Sequence, residues 1–282
     1  MAGNAKRAVI VGVDASEGSL RAVRWAAQEA ARRTTDLQLF HACVVGDFDS
    51  AHDGRYDESA LLLEHVTRRT RYAAKIARTA APGVRVETQV RLGLAVELLV
   101  AESVHAPLIV LGSHGLGGLH GALIGSVALR VAAGAKCPVV VFRGRVDPRG
   151  PVVVGVEGAP ASEDALHFAA EAAAAFGVGL VMVHASHRRV PSIEPELADQ
   201  QAEERRSLEE RVVGWQRKYP DLEITTRVVE DRKPSRALMR AALDAQLIVV
   251  GSRGRGPVVG GLLGSTGNDL LAHAACPVAV VH

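Results

Sequence analysis

Two periods of apolar residues take turns along this chain. Runs of strand type lie at 8–13, 37–45, 84–90, 108–111 and 139–142. Between them, apolar residues recur at helical spacing. After Asp14 and a candidate N-cap at Ser16, Leu20, Val23, Ala27 and Ala30 with Ala31 share one face. Further helices are predicted at 58–80, closed by Pro82-Gly83, at 95–105 and at 127–135. Residues 46–57 are polar and acidic and read as a loop.

The order then repeats. Residues 143–150 are polar, hold Pro and Gly, and read as a linker. Strands follow at 152–156, 179–184, 224–229, 247–250 and 278–281. Helices are predicted at 161–176, 196–218 and 235–244, with a short one before the last strand. Gly12 and Gly155 lie 143 positions apart, as do His41 and His184. Gly112 and Gly251 lie 139 apart, as do Gly125 and Gly264, and Cys137 and Cys276. The change of register falls in the loop and long helix after the second strand, where insertions are tolerated. Two α/β domains are expected, 1–146 and 147–282. Strand and helix alternate in each, which implies a parallel sheet with helices on both faces. Such sheets bind ligands at the carboxyl ends of their strands.

Two stretches at those ends carry candidate chemistry. The first runs Gly112-Ser-His-Gly115, nine residues, then Gly125-Ser126; the second runs Gly251-Ser-Arg-Gly254, nine residues, then Gly264-Ser265. Glycine lets backbone N–H groups approach a ligand closely, and successive N–H groups form an anion-binding concavity. The Gly-Ser pair opens a helix whose free N–H groups and dipole also favour an anion. One copy alone reads equally well as a turn with a serine N-cap. Two copies at the same spacing favour a phosphate site. Arg253 suits phosphate as a permanent planar cation. His114 takes that position in the first half, where an exposed turn histidine is the alternative. Histidine titrates in the physiological range and arginine does not, so the first site is expected to follow pH more than the second. Asp14, ending the first strand, can accept from a ribose hydroxyl or cap the next helix.

This spacing, G-x2-G-x9-G-[ST] after an apolar strand, resembles the ATP-binding signature of the universal stress protein family, and the chain resembles a tandem member over nearly its whole length. The resemblance implies two Rossmann-like domains, each a five-stranded parallel sheet of order 3-2-1-4-5. It implies ATP in each, with Mg²⁺ carried by the phosphates and water. In the first domain it implies contacts from Gly12, Asp14, Ala42, Gly112, Ser113, His114, Gly115, Leu116, Gly117, Gly118, Gly125, Ser126 and Val127. In the second it implies Gly155, Glu157, Ala185, Gly251, Ser252, Arg253, Gly254, Arg255, Gly256, Gly264, Ser265 and Thr266. Glu157 departs from the family's Asp by one methylene, which alters the second pocket. The family also implies a homodimer through the edges of the last strands, 139–142 and 278–281, and a regulatory protein partner of unknown identity.

Composition narrows the classes. The chain has 282 residues, 48% hydrophobic and only 4% aromatic, so small aliphatic side chains must fill its cores. A net charge of +2 argues against a general nucleic-acid binder. No apolar run approaches a membrane span, and the start lacks the apolar core of a signal peptide. Cys43, Cys137 and Cys276 fit neither a disulfide framework nor a zinc site, so the expected compartment is the reducing cytoplasm, with no metal cage. No G-x4-G-K-[ST], nucleophile elbow or H-E-x-x-H is found. His41 and His184 read as satisfied structural histidines, and 196–218 as a solvated charged helix. The leading function is an ATP-binding regulator or sensor of the stress-response type, with no catalytic residue nominated. The alternative is a slow ATPase or nucleotidyl-transfer enzyme on the same fold.

Overall fold

The computed structural model describes residues 8–14, 16–44, 58–115, 124–157, 161–186, 196–252 and 263–282. The chain forms two compact units, one ending at Phe142 and one beginning at Arg143. In the first, the order is β1 (Val9–Gly12), α1 (Glu17–Arg32), β2 (Leu37–Cys43), α2 (Glu58–Ala80), β3 (Val86–Leu92), α3 (Ala95–Glu102), β4 (Ile109–Gly112), α4 (Ser126–Gly134) and β5 (Val139–Phe142). In the second it is β6 (Val152–Gly155), α5 (Ala161–Phe176), β7 (Leu180–Ser186), α6 (Glu196–Lys218), β8 (Ile224–Glu230), α7 (Pro234–Ala241), β9 (Leu247–Gly251), α8 (Ser265–His273) and β10 (Val278–Val281).

Every described strand pair within the units is parallel. The first unit has the order β3-β2-β1-β4-β5 and the second β8-β7-β6-β9-β10. Both are the expected 3-2-1-4-5. Every residue of β5 and β10 is buried, as are the first three of β4, which explains why these strands are apolar without alternation. The edge strands β3 and β8 keep polar residues, because only one face is covered.

Small residues bring the layers close. Ala22, Ala26, Ala27 and Ala30 of α1 have no exposed surface, and neither do Val9 and Val11 of β1. Ser16 starts α1 by accepting the Ser19 N–H at 3.1 Å, and Glu17 complements the helix dipole. Thr34, at φ 51°, turns the chain out of the helix towards β2. Cys137 and Cys276 are buried, as expected of small core residues. Arg143 is half-buried and donates to the Leu270 and Leu271 carbonyls at the end of α8, tying the start of the second unit to its own last helix.

Gly112 marks the closest backbone approach. A Cβ there would stand 2.8 Å from both Gly18 C and Ser19 N, so the end of β4 lies against the first turn of α1. Gly112→Ala should therefore force backbone apart and cost about 1–3 kcal/mol. Gly214, inside α6, has nothing within 4 Å of a new Cβ, and Gly214→Ala should stabilise by about 1 kcal/mol. Urea unfolding of the two variants should shift the midpoint in opposite directions. Equal shifts would show that the β4–α1 contact is not tight.

Candidate functional site

The crevice of the first unit opens where the strand order reverses, between β1 and β4. It has a volume of about 540 Å³, within the range of small-molecule sites. Gly12 and Asp14 from the end of β1, Ala42 from β2, and Gly112, His114 and Gly115 from the end of β4 all line it. Gly125, Ser126 and Val127 complete the expected set on the α4 side. Leu116, Gly117 and Gly118 lie outside the described residues.

Each element delivers its residue for a local reason. The Ser113 N–H donates to Phe142 O at 3.0 Å, which carries the β4–β5 ladder one residue further. The Ser113 carbonyl then accepts the Gly125 N–H at 2.8 Å, so the glycine loop leaves and returns through one neck. Ser113 itself does not line the crevice. Its side chain is buried, with Oγ 2.9 Å from His114 Nδ1. His114 Nε2 is enclosed and has no hydrogen-bond partner among the described residues.

Asp14 resolves into a mixed role. Its Oδ1 accepts the Ser16 N–H at 3.0 Å and lies 2.7 Å from Ser16 Oγ. Ser16 Oγ also lies 3.1 Å from the His114 carbonyl. The helix cap is thus Ser16, and Asp14 braces it in an Asx-turn. Asp14 Oδ2 packs against the loop: a Cβ on Gly115 would stand 2.6 Å from it. The same carboxylate lines the crevice.

The helix that closes the crevice begins without a side-chain cap. The N-cap of α4 is Gly125, and no side chain accepts its first N–H groups. The first turn of a helix leaves such donors free for an anion. In the second unit α8 begins the same way at Gly264. There the Ser252 N–H donates to Val281 O at 2.7 Å and the Ser252 carbonyl accepts the Gly264 N–H at 3.4 Å, repeating the neck. Gly155 and Gly251 end β6 and β9, Glu157 follows β6, Ala185 lies near the end of β7, and Ser265 and Thr266 open α8. Arg253, Gly254, Arg255 and Gly256 lie outside the described residues.

The sequence reading missed the apolar wall. Phe40 lines the crevice from the same face of β2 as Ala42, which strand alternation could have supplied. Ala95 and Leu99, one turn apart on α3, line it as well, together with Leu111, and Ser19 of α1 contributes a hydroxyl. The two strand-two histidines differ from expectation in one respect. His184 Nδ1 lies 2.7 Å from the Val156 carbonyl and is satisfied. His41 Nδ1 is buried with no partner among the described residues. Burial pushes its pKa below the ordinary value, against the nearby Asp14 carboxylate, and Arg69 lowers it further.

The turn after β8 in the second unit is charged. Asp231, just after β8, is buried and accepts Arg236 through two donors, at 2.6 and 2.7 Å. It also accepts the Lys233 N–H at 2.9 Å, and Arg240 approaches to 3.5 Å.

Taken together, fold and crevice define a tandem α/β protein of Rossmann-like type, with a pocket at the strand ends of its first unit. The profile of the universal stress protein family matches the chain twice, over residues 6–143 and 148–282. A universal stress protein of Mycolicibacterium smegmatis is 37% identical over 288 residues, spanning 97% of this chain and 96% of that protein. One of Mycobacterium tuberculosis (strain H37Rv) is 36% identical over 303 residues, spanning 99% and 97%. A solved universal stress protein of Archaeoglobus fulgidus superimposes with a TM-score of 0.71 at 23% identity, over 98% of each chain. This chain belongs to the universal stress protein family. Among the described residues, no helix is long and apolar enough to cross a membrane.

The Asp231 cluster has a pH signature. The Arg236 hydrogen bond, followed by that of the Lys233 N–H, pulls the Asp231 pKa down to about 2 from 3.8. Its stabilisation is complete above 3.8 and is lost as pH falls through about 2. Asp231→Asn should be less stable than the parent at pH 7, and the gap should close by about pH 2. Urea midpoints across pH would show it. A gap independent of pH would mean that charge is not what Asp231 supplies.

Proposed function

We propose that each unit binds ATP, with Mg²⁺ carried on the phosphates, and that the chain acts as a nucleotide-dependent regulator or sensor in stress response. The observation that carries this reading is the repeated, uncapped helix start at Gly125 and Gly264, each closed by a backbone bond to a serine carbonyl at a strand end. Free N–H groups and the helix dipole suit phosphate oxygens. In the first unit Asp14 suits a ribose hydroxyl, and the wall of Phe40, Ala95 and Leu99 suits a base. The same reading includes a homodimer and a protein partner that responds to the bound state. Light scattering of the purified chain tests the first of these, with a mass of two chains expected.

The direct test is calorimetry with ATP. Two sites per chain are expected. Gly115→Ala places a methyl group 2.6 Å from Asp14 Oδ2 and should remove the first site. Gly254→Ala should remove the second, so each variant should bind about one equivalent. Unchanged stoichiometry in both variants would overturn the assignment. Rapid multiple turnover of ATP would replace the sensor with an enzyme.

A further inference from the structure

The second unit holds a cavity of about 530 Å³ at the starts of its strands. It lies between the last turn of α5 and the end of α6, where Gly179 leads into β7 and Glu223 into β8. The strands are parallel, so this is the end of the sheet away from the Gly264 neck. Small residues keep it open. Ala173, Ala174, Gly177 and Gly179 line one side, and nothing lies within 4 Å of a Cβ added at Gly177.

Backbone bonds fix what stands at the same place in the first unit. The Leu37 N–H donates to Arg85 O and the Leu180 N–H to Glu223 O, both at 2.9 Å. The Val84 N–H donates to Ala81 O and the Leu222 N–H to Tyr219 O, both at 3.1 Å. Thr34 at φ 51° and Gly177 at φ 69° turn the chain out of the matching helices. Glu223 therefore stands for Arg85, Asp221 for Gly83 and Tyr219 for Ala81.

The charge at this place is reversed between the units. In the first, Arg32 lies in the last turn of α1, and Arg32 and Arg33 pair with Glu29 at 2.9 and 2.7 Å. Arg85 pairs with Glu87 at 2.6 Å. In the second, the last turn of α5 carries no basic residue. Among the described residues, neither Asp221 nor Glu223 has an ion-pair partner.

The lining suits a cation on three grounds. The C-terminal ends of α5 and α6 both reach the cavity, and a helix C-terminus carries partial negative charge. Asp221 and Glu223 line it, and Glu223 Oε2 lies 4.0 Å from where a Gly179 Cβ would stand. Tyr219 lines it too, with its ring stacked on Trp215 at 6.1 Å between centroids. The chain's own ammonium already rests on that pair. Lys218 Nζ lies 5.0 Å from the Trp215 centroid and 5.5 Å from that of Tyr219. An alkyl ammonium thus finds a seat on the aromatic face. Lys218, held there, pairs with neither carboxylate.

We propose that this cavity binds a linear aliphatic polyamine, with one ammonium at Asp221, another at Glu223, and its methylenes along Tyr219, Val178 and Leu222. Two open carboxylates flank the buried Leu222, so a ligand with two separated cations satisfies both. The methylenes between them cover apolar surface while the charged ends stay paired. In the first unit arginines stand at the matching place, and the same ligand would be repelled. This site is separate from the nucleotide crevice and does not rest on the nucleotide reading.

Calorimetry of the full chain with spermidine, putrescine and uncharged 1,4-butanediol tests it, at low and high salt. Spermidine should bind at about one equivalent per chain and more weakly as salt rises. Putrescine should bind less tightly, and butanediol not at all. Asp221→Asn with Glu223→Gln should weaken spermidine about tenfold. Glu209→Gln with Glu210→Gln removes the same charge from exposed positions of α6 and should leave affinity within about twofold. No spermidine binding by the parent chain would overturn the proposal. So would equal losses in the two double variants, which would mean diffuse attraction to an acidic surface. Trilysine binding that needs Asp221 and Glu223, with no polyamine binding, would assign the place to a partner's lysines and overturn it as well. ATP stoichiometry should be unchanged in both double variants, so this site and the nucleotide reading stand or fall separately.

Discussion

The site depends on one backbone hydrogen bond in each unit. The Gly125 N–H closes onto the Ser113 carbonyl, and the Gly264 N–H onto the Ser252 carbonyl. That bond fixes where the glycine loop returns and therefore where the closing helix begins. Because the returning residue is glycine, the helix starts with no side chain to occupy its first N–H groups. The strand-end serine anchors the neck from the other side, through its own N–H to the last strand. A sheet bond, a neck bond and an open helix end thus form one continuous backbone path. Side chains then decide what the path can hold.

The crevice also depends on how closely α1 approaches β4. Gly112 admits the backbone of Gly18 and Ser19, and the buried alanines of α1 let the helix lie low on the sheet. Ser16 sits at the joint. It caps α1, lies within reach of Asp14 Oδ1, and lies within reach of the His114 carbonyl. One hydroxyl thereby couples the helix start to the carboxylate that faces the crevice and to the first residues of the loop. Such a polar cluster at a strand end is high-stakes, since each member's position depends on the others.

The fold was legible because its period is strong. Alternating apolar runs and amphipathic stretches located every element, and the offset between paired glycines exposed the repeat. Boundaries moved where pairing, not composition, sets them. The third strand is Val86–Leu92 rather than 84–90, because it runs in register with β2 from Leu37 opposite Val86 to Cys43 opposite Leu92. The glycine spacing and Asp14 pointed to the crevice. Ala95 and Leu99 did not stand out, since an apolar pair one turn apart on a helix reads as core. Ser113 stood in the motif, yet its hydroxyl turns to His114, a choice of rotamer that spacing does not encode.

Duplication kept the backbone and released the buried polar groups. The neck bonds, the strand order and the contact from the third strand's end to the second recur in both units, and none of them needs a particular side chain. The side chains around them have diverged. His184 is satisfied by the Val156 carbonyl, whereas His41 at the matching place leaves Nδ1 unpaired among the described residues. A glycine of positive φ in one unit becomes a buried carboxylate with an arginine fork in the other. A frame held by main-chain bonds tolerates such differences without changing its fold. The same frame therefore holds two different sets of buried polar groups in one chain.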